Sequence, residues 1–257
     1  MRRLFAARNL ELLAQLAWSN VLLAFDYDGT LAPIVSDREL AGMRSKTGQL
    51  FRKVCQLYPC AVISGRSKAD VSRRLADAAV KYVIGNHGLE PGRDLSEFAT
   101  EIALVRPQIE RALEHCQGVE VEDKTYSLAV HYRKSRQKRL ARAEIHGAVS
   151  ALPVAMRIVA GKLVVNAVPE RAANKGDALL ELRERETADI AFYVGDDVTD
   201  EDVFTLDQPG RLFTVRVGLS KTSAAKYFLR DQSEMDALLE KLVDLRTNHQ
   251  KRDPSAR

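Results

Sequence analysis

The chain has 257 residues, 46% hydrophobic and 29% charged, with a formal net charge of +4. That length holds one full core and a smaller second domain, and so mild a charge gives no ground by itself for nucleic-acid binding. Cys55, Cys60 and Cys116 form no C-x-x-C pair, a sparse set that points to reduced thiols in a cytoplasmic protein. No run approaches the length of a membrane span. The basic opening, MRRLFAARNLELLAQLAW, begins like an export signal. Asn9, Glu11 and Gln15 interrupt its apolar stretch, so an amphipathic helix is expected there.

In chain order the next element is a strand over 21–25, followed by a helix over 47–57, a strand over 60–63, a helix over 68–78 and a strand over 82–84. After a long middle section come a helix over 175–184 and a strand over 190–194. The strands are rich in β-branched or aromatic residues and end in Gly, Ser or Asp. Strand and helix alternating in this way predict an α/β fold, a doubly wound parallel sheet of Rossmann-like type covered on both faces. The middle section reads differently: helix 97–116, strands 119–121 and 127–133, helix 135–151, and strands 154–159 and 163–168, with Gly161-Lys162 as a tight turn. It is expected to be an α+β insertion over 91–169 with its own antiparallel sheet, dividing the core into 1–90 and 170–257. The polar tail, 248–257, is expected to fray.

Ligands bind at the carboxyl ends of the strands in such sheets, and the unusual polar residues of this sequence gather there. FDYDGT places Asp26 and Asp28 two apart, so that an extended backbone turns both side chains the same way. A lone D-x-D is commonly a strand-end turn; its company argues otherwise. After the second strand, Ser64-Gly65-Arg66-Ser67 offers a hydroxyl and backbone N–H groups to an anion, with Ser67 and Asp70 as a capping pattern. Lys175 opens a helix, where a cation is electrostatically misplaced unless an anion is shared with it. In GDDVTDED, Thr199 and Asp202 read as a cap that accounts for Asp200, Glu201 and Asp202 but not for Asp196 and Asp197. If the two strands are neighbours, Asp196 faces Asp26 and Asp28, and three converging carboxylates call for a hard divalent cation such as Mg2+. These pieces together describe phosphoryl transfer. Asp26 is the candidate nucleophile and Asp28 the candidate acid and base, with Ser64, Gly65 and Lys175 around the phosphate oxygens.

DxDGT, a strand-end SGR, a Lys-Gly and GDDxxD in this order resemble the haloacid dehalogenase phosphatase superfamily. FDYDGTLAPI, VISGRS, GNHGLE, the HYR at His131–Arg133 and GDDVTDEDVF resemble its trehalose-6-phosphate phosphatase branch. The resemblance implies hydrolysis of trehalose 6-phosphate, a small sugar phosphate, through an aspartyl-phosphate on Asp26. It implies Mg2+ held by Asp26, the backbone carbonyl of Asp28 and Asp196, with Asp200 in support. It also implies that the insertion is a cap closing over the sugar. Substrate contacts are implied for Arg66, and for Glu122 and Lys124 of an E-x-K motif; His87, in GNHG, either touches the substrate or caps a turn. Asn166 stands where the family usually has Glu. His131 and Arg133 are expected to brace the strand of the insertion. A functional link to trehalose-6-phosphate synthase is implied as well.

Three other readings compete. Asn166 leaves room for the same chemistry on another disaccharide or glycosyl phosphate. The basic run RKSRQKRLAR, 133–142, suggests nucleic-acid contact, but it lacks interleaved aromatics and a solvated helix face accounts for it. No nucleic-acid or membrane partner is expected. A catalytically dead regulatory domain is disfavoured because Asp26 is present.

Overall fold

The computed structural model describes residues 1–35, 40–75, 78–90, 95–161 and 163–250. It divides into two compact units, Met1–Gly88 with Asn174–Arg257, and Leu89–Ala173.

In the first unit, strands β1 (Arg2–Arg3), β2 (Val21–Phe25), β3 (Cys60–Ile63), β4 (Tyr82–Ile84), β9 (Ile190–Gly195), β10 (Leu212–Val217) and β11 (Tyr227–Leu229) form one sheet. The order is β1-β11-β10-β9-β2-β3-β4, and every pairing is parallel. The strands of the core are buried on both faces, which is why they read as unbroken apolar runs. Alternate residues separate cleanly. Val21, Leu23, Phe25, Phe192 and Val194 join one apolar cluster with Leu13 and Leu16 of α1 (Ala7–Trp18), Phe51 and Val54 of α2 (Ser45–Leu57), and Leu238 and Leu242 of α8 (Glu234–Gln250). Leu22, Ala24, Ala191 and Tyr193 join a second with Ala178, Leu179 and Leu182 of α6 (Lys175–Arg185) and Val203 of α7 (Glu201–Phe204). The core is therefore doubly wound, as expected.

The strand order reverses at β2. From there the chain steps one way to β3 and β4, and later the other way to β9, β10 and β11. Such a switch point opens a crevice at the carboxyl ends of the strands. It brings the ends of β2, β3 and β9, and so Asp26, Ser64 and Asp196, side by side.

The second unit contains α4 (Ser96–Leu113), β5 (Glu120–Asp123), β6 (Leu128–His131), α5 (Lys138–Ser150), β7 (Met156–Gly161) and β8 (Val164–Pro169). Its sheet is antiparallel, in the order β5-β6-β8-β7. Ile102, Val105 and Ile109 of α4 and Ala141, Ile145 and Val149 of α5 recur at helical spacing and pack on Leu128, Val130, Val165 and Ala167.

Several boundaries differ from expectation for local reasons. The α5 helix begins three residues late because the Ser135 hydroxyl accepts the Gln137 N–H and holds a turn ahead of it. Strand β7 runs to Gly161 because its ladder with β8 continues to the Gly161–Val164 pair. The other half of the expected turn, Lys162, lies outside the described residues. The α3 helix (Lys68–Leu75) is followed by residues outside them. In the tail, residues 248–250 continue α8, and the rest also lies outside. Strands β1, β10 and β11 and helix α8 have no counterpart in the sequence-based reading.

Candidate active site

Asp26 follows β2, with its N–H still bonded to the Val194 carbonyl at 2.8 Å, so the carboxylate starts from a fixed strand end. The neighbouring β9 delivers Asp196 and then a turn into α7. Gly29 makes their approach feasible. Its φ of +86° is left-handed, and a Cβ there would come within 2.1 Å of Asp196 Oδ2. Thr30 donates its hydroxyl to Asp196 Oδ1 at 3.2 Å.

Among the described residues, Asp26, Asp196 and Asp200 offer carboxylate oxygens that all lie within 4.8 Å of one another. Lys175, at the first turn of α6 and 1% exposed, donates to Asp26 Oδ1 at 3.0 Å and Asp200 Oδ1 at 2.8 Å. Two anions beside it resolve the conflict between its charge and the helix dipole. Asp200 is fully buried and also accepts the Tyr193 hydroxyl at 2.7 Å and the Asp197 N–H at 2.8 Å.

This arrangement corrects the reading of the acidic turn. Asp197, not Thr199, is the capping residue, and Asp200 completes its capping box. Asp200 therefore belongs to the site as well as to the helix start. Sequence reasoning did not find Tyr193; its signal is a phenol inside an otherwise apolar strand, where a buried hydroxyl needs a partner.

The electrostatics are those of an anionic site with too little positive charge. Burial pushes the Asp26 carboxyl well above the usual range, opposed by Lys175 and reinforced by Asp200 and Asp196. Burial, then Asp200 and Asp197, push Asp196 up to about 7. Burial also raises the Tyr193 hydroxyl, which keeps its proton for the bond to Asp200. For Lys175 burial works against the charge, but Asp200 and Asp26 outweigh it and hold the ammonium above the ordinary lysine range. Three clustered carboxylates facing one ammonium suit a hard divalent cation, which takes oxygen ligands. The donor set fits such an ion.

The Asp28 carboxylate lies outside that cluster. It is 40% exposed and meets the Arg66 fork, with Nε to Oδ2 at 2.6 Å and Nη2 to Oδ1 at 2.8 Å. Arg66 spends its remaining nitrogen on Asp70 at 2.6 Å. The Ser64 hydroxyl accepts the Arg66 N–H at 3.2 Å, and the segment carrying His87 wraps over it, with His87 N–H donating to the Ser64 carbonyl at 3.0 Å. A Cβ at Gly65 would lie 2.5 Å from the His87 ring, so the ring can sit here only because residue 65 has no side chain. Ser67 receives the Asp70 N–H at 3.3 Å, as the capping pattern predicts.

In the second unit, register places Glu122, Ala129, Asn166 and Val159 in one row across the sheet. They lie on the face opposite that formed by Val130 and Val165, on which α4 and α5 pack. Lys124 Nζ reaches Asn166 Oδ1 at 3.4 Å, and His131 Nε2 lies 2.8 Å from Glu122 Oε2, bracing β5 against β6.

A parallel sheet with its acids at the β2–β9 switch point, interrupted by an inserted α+β unit, is the haloacid dehalogenase-like fold of a doubly wound α/β protein. Comparison with known proteins narrows this. Residues 24–233 match the family described as Trehalose-phosphatase, and the chain belongs to that family. It is 30% identical over 249 residues to trehalose-phosphate phosphatase B of Arabidopsis thaliana, covering 87% of this chain and 66% of that one. The chain thus spans about two thirds of that curated relative's length. The C-terminal domain of Candida albicans trehalose-6-phosphate phosphatase superposes with a TM-score of 0.75 at 24% identity, covering 93% of this chain and 97% of that one. The C-terminal domain of a Candida albicans trehalose synthase regulatory protein superposes with a TM-score of 0.67 at 13% identity, covering 91% and 97%. These superpositions establish the fold. A phosphatase and a regulatory protein share it, so the chemistry has to be argued from the acids.

Proposed function

We propose that the protein hydrolyses trehalose 6-phosphate to trehalose and phosphate, with Mg2+ bound and Asp26 as nucleophile. The observation that carries this reading is the convergence of Asp26, Asp196 and Asp200 on one point at the switch of the sheet, with Lys175 buried against two of them. Family membership over residues 24–233 supports trehalose 6-phosphate as the substrate.

In the proposed reaction an Asp26 carboxylate oxygen attacks phosphorus and the bond from phosphorus to the sugar oxygen breaks. Asp28, whose two oxygens accept from Arg66 in the free protein, has to release one oxygen from that fork and take up a proton. It then gives that proton to the departing oxygen. Asp28 then takes a proton from water as that water attacks phosphorus, which restores the Asp26 carboxylate and frees phosphate. Ser64, Gly65 and Lys175 hold the phosphoryl oxygens, and Lys175 offsets charge as it builds up. Asp26, Asp196 and Asp200 would hold the metal, together with the Asp28 carbonyl. When bound, it neutralises phosphate charge so that a carboxylate can approach. The roles implied for Arg66, His87, Glu122, Lys124 and Asn166 toward the sugar remain part of the proposal, as does a working link to the synthase that makes the substrate.

The choice of sugar is tested by kcat/KM on trehalose 6-phosphate, sucrose 6-phosphate and a glycosylglycerol phosphate. Trehalose 6-phosphate is expected to lead by at least about tenfold, the lower end of the discrimination that differences in pocket contacts give. A lead by another phosphate would keep the chemistry and replace the substrate.

A further inference from the structure

Arg216 lies on β10 directly across the ladder from Gly195, the last residue of β9. It is the one charged residue of that strand, LFTVRV. Its side chain, 15% exposed, passes the end of β9 and closes on the acidic turn. Nη2 donates to the Asp196 carbonyl. Nη1 donates to the Asp197 carbonyl and to Glu201 Oε1, each at 3.1 Å. Glu201 is anchored in turn, since its Oε2 accepts the Ala224 N–H at 2.9 Å.

The consequence follows from peptide planarity. The unit joining Asp196 to Asp197 has its carbonyl on Arg216 and its N–H on Asp200 Oδ2 at 2.8 Å. The next unit has its carbonyl on Arg216 and its N–H on Asp197 Oδ1 at 2.8 Å. Two successive planes are gripped at both edges, and they fix the backbone from which Asp196 projects and against which Asp200 rests. Nothing at Gly195 could do this, because a Cβ there would come within 2.2 Å of the Asp200 carboxylate carbon. Support has to arrive from the neighbouring strand.

We propose that Arg216 is a positioning residue for the acid site. Through the Asp196 and Asp197 carbonyls it holds the Asp196 and Asp200 carboxylates within ligating reach of Asp26. The inference rests on the reading of these acids as a metal-holding site.

The test is Mn2+ binding to the metal-free full chain, measured by electron paramagnetic resonance, for wild type, Arg216→Met, Arg216→Lys, Glu201→Gln and Asp196→Ala. Arg216→Met is expected to weaken Mn2+ by about 10–100-fold, as loss of support behind metal ligands does. Arg216→Lys keeps the charge but not the fork and should lose about threefold or more. Glu201→Gln keeps both carbonyl bonds and should lose less than either. In phosphate release, Arg216→Met should raise the half-saturating Mg2+ concentration while leaving the substrate KM at saturating Mg2+ near wild type. A purely structural arginine would lower the melting temperature and leave Mn2+ affinity within about threefold, which overturns the inference. If Arg216→Met does not fold, Arg216→Lys decides by the same threshold. Wild type and Asp196→Ala binding Mn2+ alike would overturn the site reading itself.

Discussion

Replacing Lys175 with methionine keeps the volume of the side chain and removes its charge. In the native protein the ammonium is 1% exposed and lies 3.0 Å from Asp26 and 2.8 Å from Asp200, both buried. At an effective dielectric of about 20, each contact is worth about 5–6 kcal/mol of gross attraction. Desolvation of the ammonium offsets much of that, and breaking a buried pair from one side typically costs about 3–5 kcal/mol because the orphaned charge stays behind. Here two carboxylates stay behind. For a domain of this size the melting temperature should fall by about 6–20 °C at pH 8. The pH dependence follows from Asp26, whose carboxyl is already raised by burial and restrained chiefly by Lys175. Without the lysine it rises further. A raised folded-state pKa contributes stability at low pH that is lost as pH rises, so the deficit of the variant should shrink between pH 8 and pH 5. Thermal and urea melts of both proteins across that range measure it. A deficit below about 1 kcal/mol, or one constant with pH, would refute the reasoning, since that is the range of an exposed ion pair.

Three other outcomes follow from the same geometry. Gly29→Ala puts a methyl group at φ +86° and 2.1 Å from Asp196 Oδ2; it should cost about 1–3 kcal/mol of stability and weaken divalent-metal binding, and wild-type affinity would contradict the close approach. Asp196 is held up to about 7, so in chelator the protein should lose stability as pH rises from about 4 to about 7. Added Mg2+ should raise the melting temperature more at pH 8 than at pH 5.5, and equal shifts would contradict the account. Tyr193→Phe removes the 2.7 Å bond to Asp200; a loss of about 1–3 kcal/mol in urea unfolding is expected, and no loss would mean that Asp200 is held without it.

Much of the core could be read from the sequence because its strands are buried on both faces. VLLAF, CAVI and IAFYVG are unbroken apolar runs that end at a polar residue, and their short length with β-branched and aromatic residues favours strand over a buried helix segment. Strand β11, three residues long, and β1, two residues of arginine, carry no such signal; their ladders depend on neighbours far away in the chain. The acids were legible because a strand end with two carboxylates needs an explanation in its own right. What they bond to was less so. Asp28 and Arg66 are separated by 37 intervening residues in the chain and meet only because β2 and β3 are adjacent. The cap fell on Asp197 where Thr199 fitted the motif equally well, because Asp200 can complete the box only from that position. Arg216 could not be seen at all, since its role depends on the register that sets it opposite Gly195.

The central claim is that Asp26 attacks phosphorus in trehalose 6-phosphate at a site completed by a divalent cation. Phosphate release from that substrate by wild type and by Asp26→Asn, each with Mg2+ and with excess chelator, tests it directly. Turnover is expected only for the wild type with Mg2+; phosphate release by Asp26→Asn within tenfold of wild type, or by wild type in chelator, would contradict it.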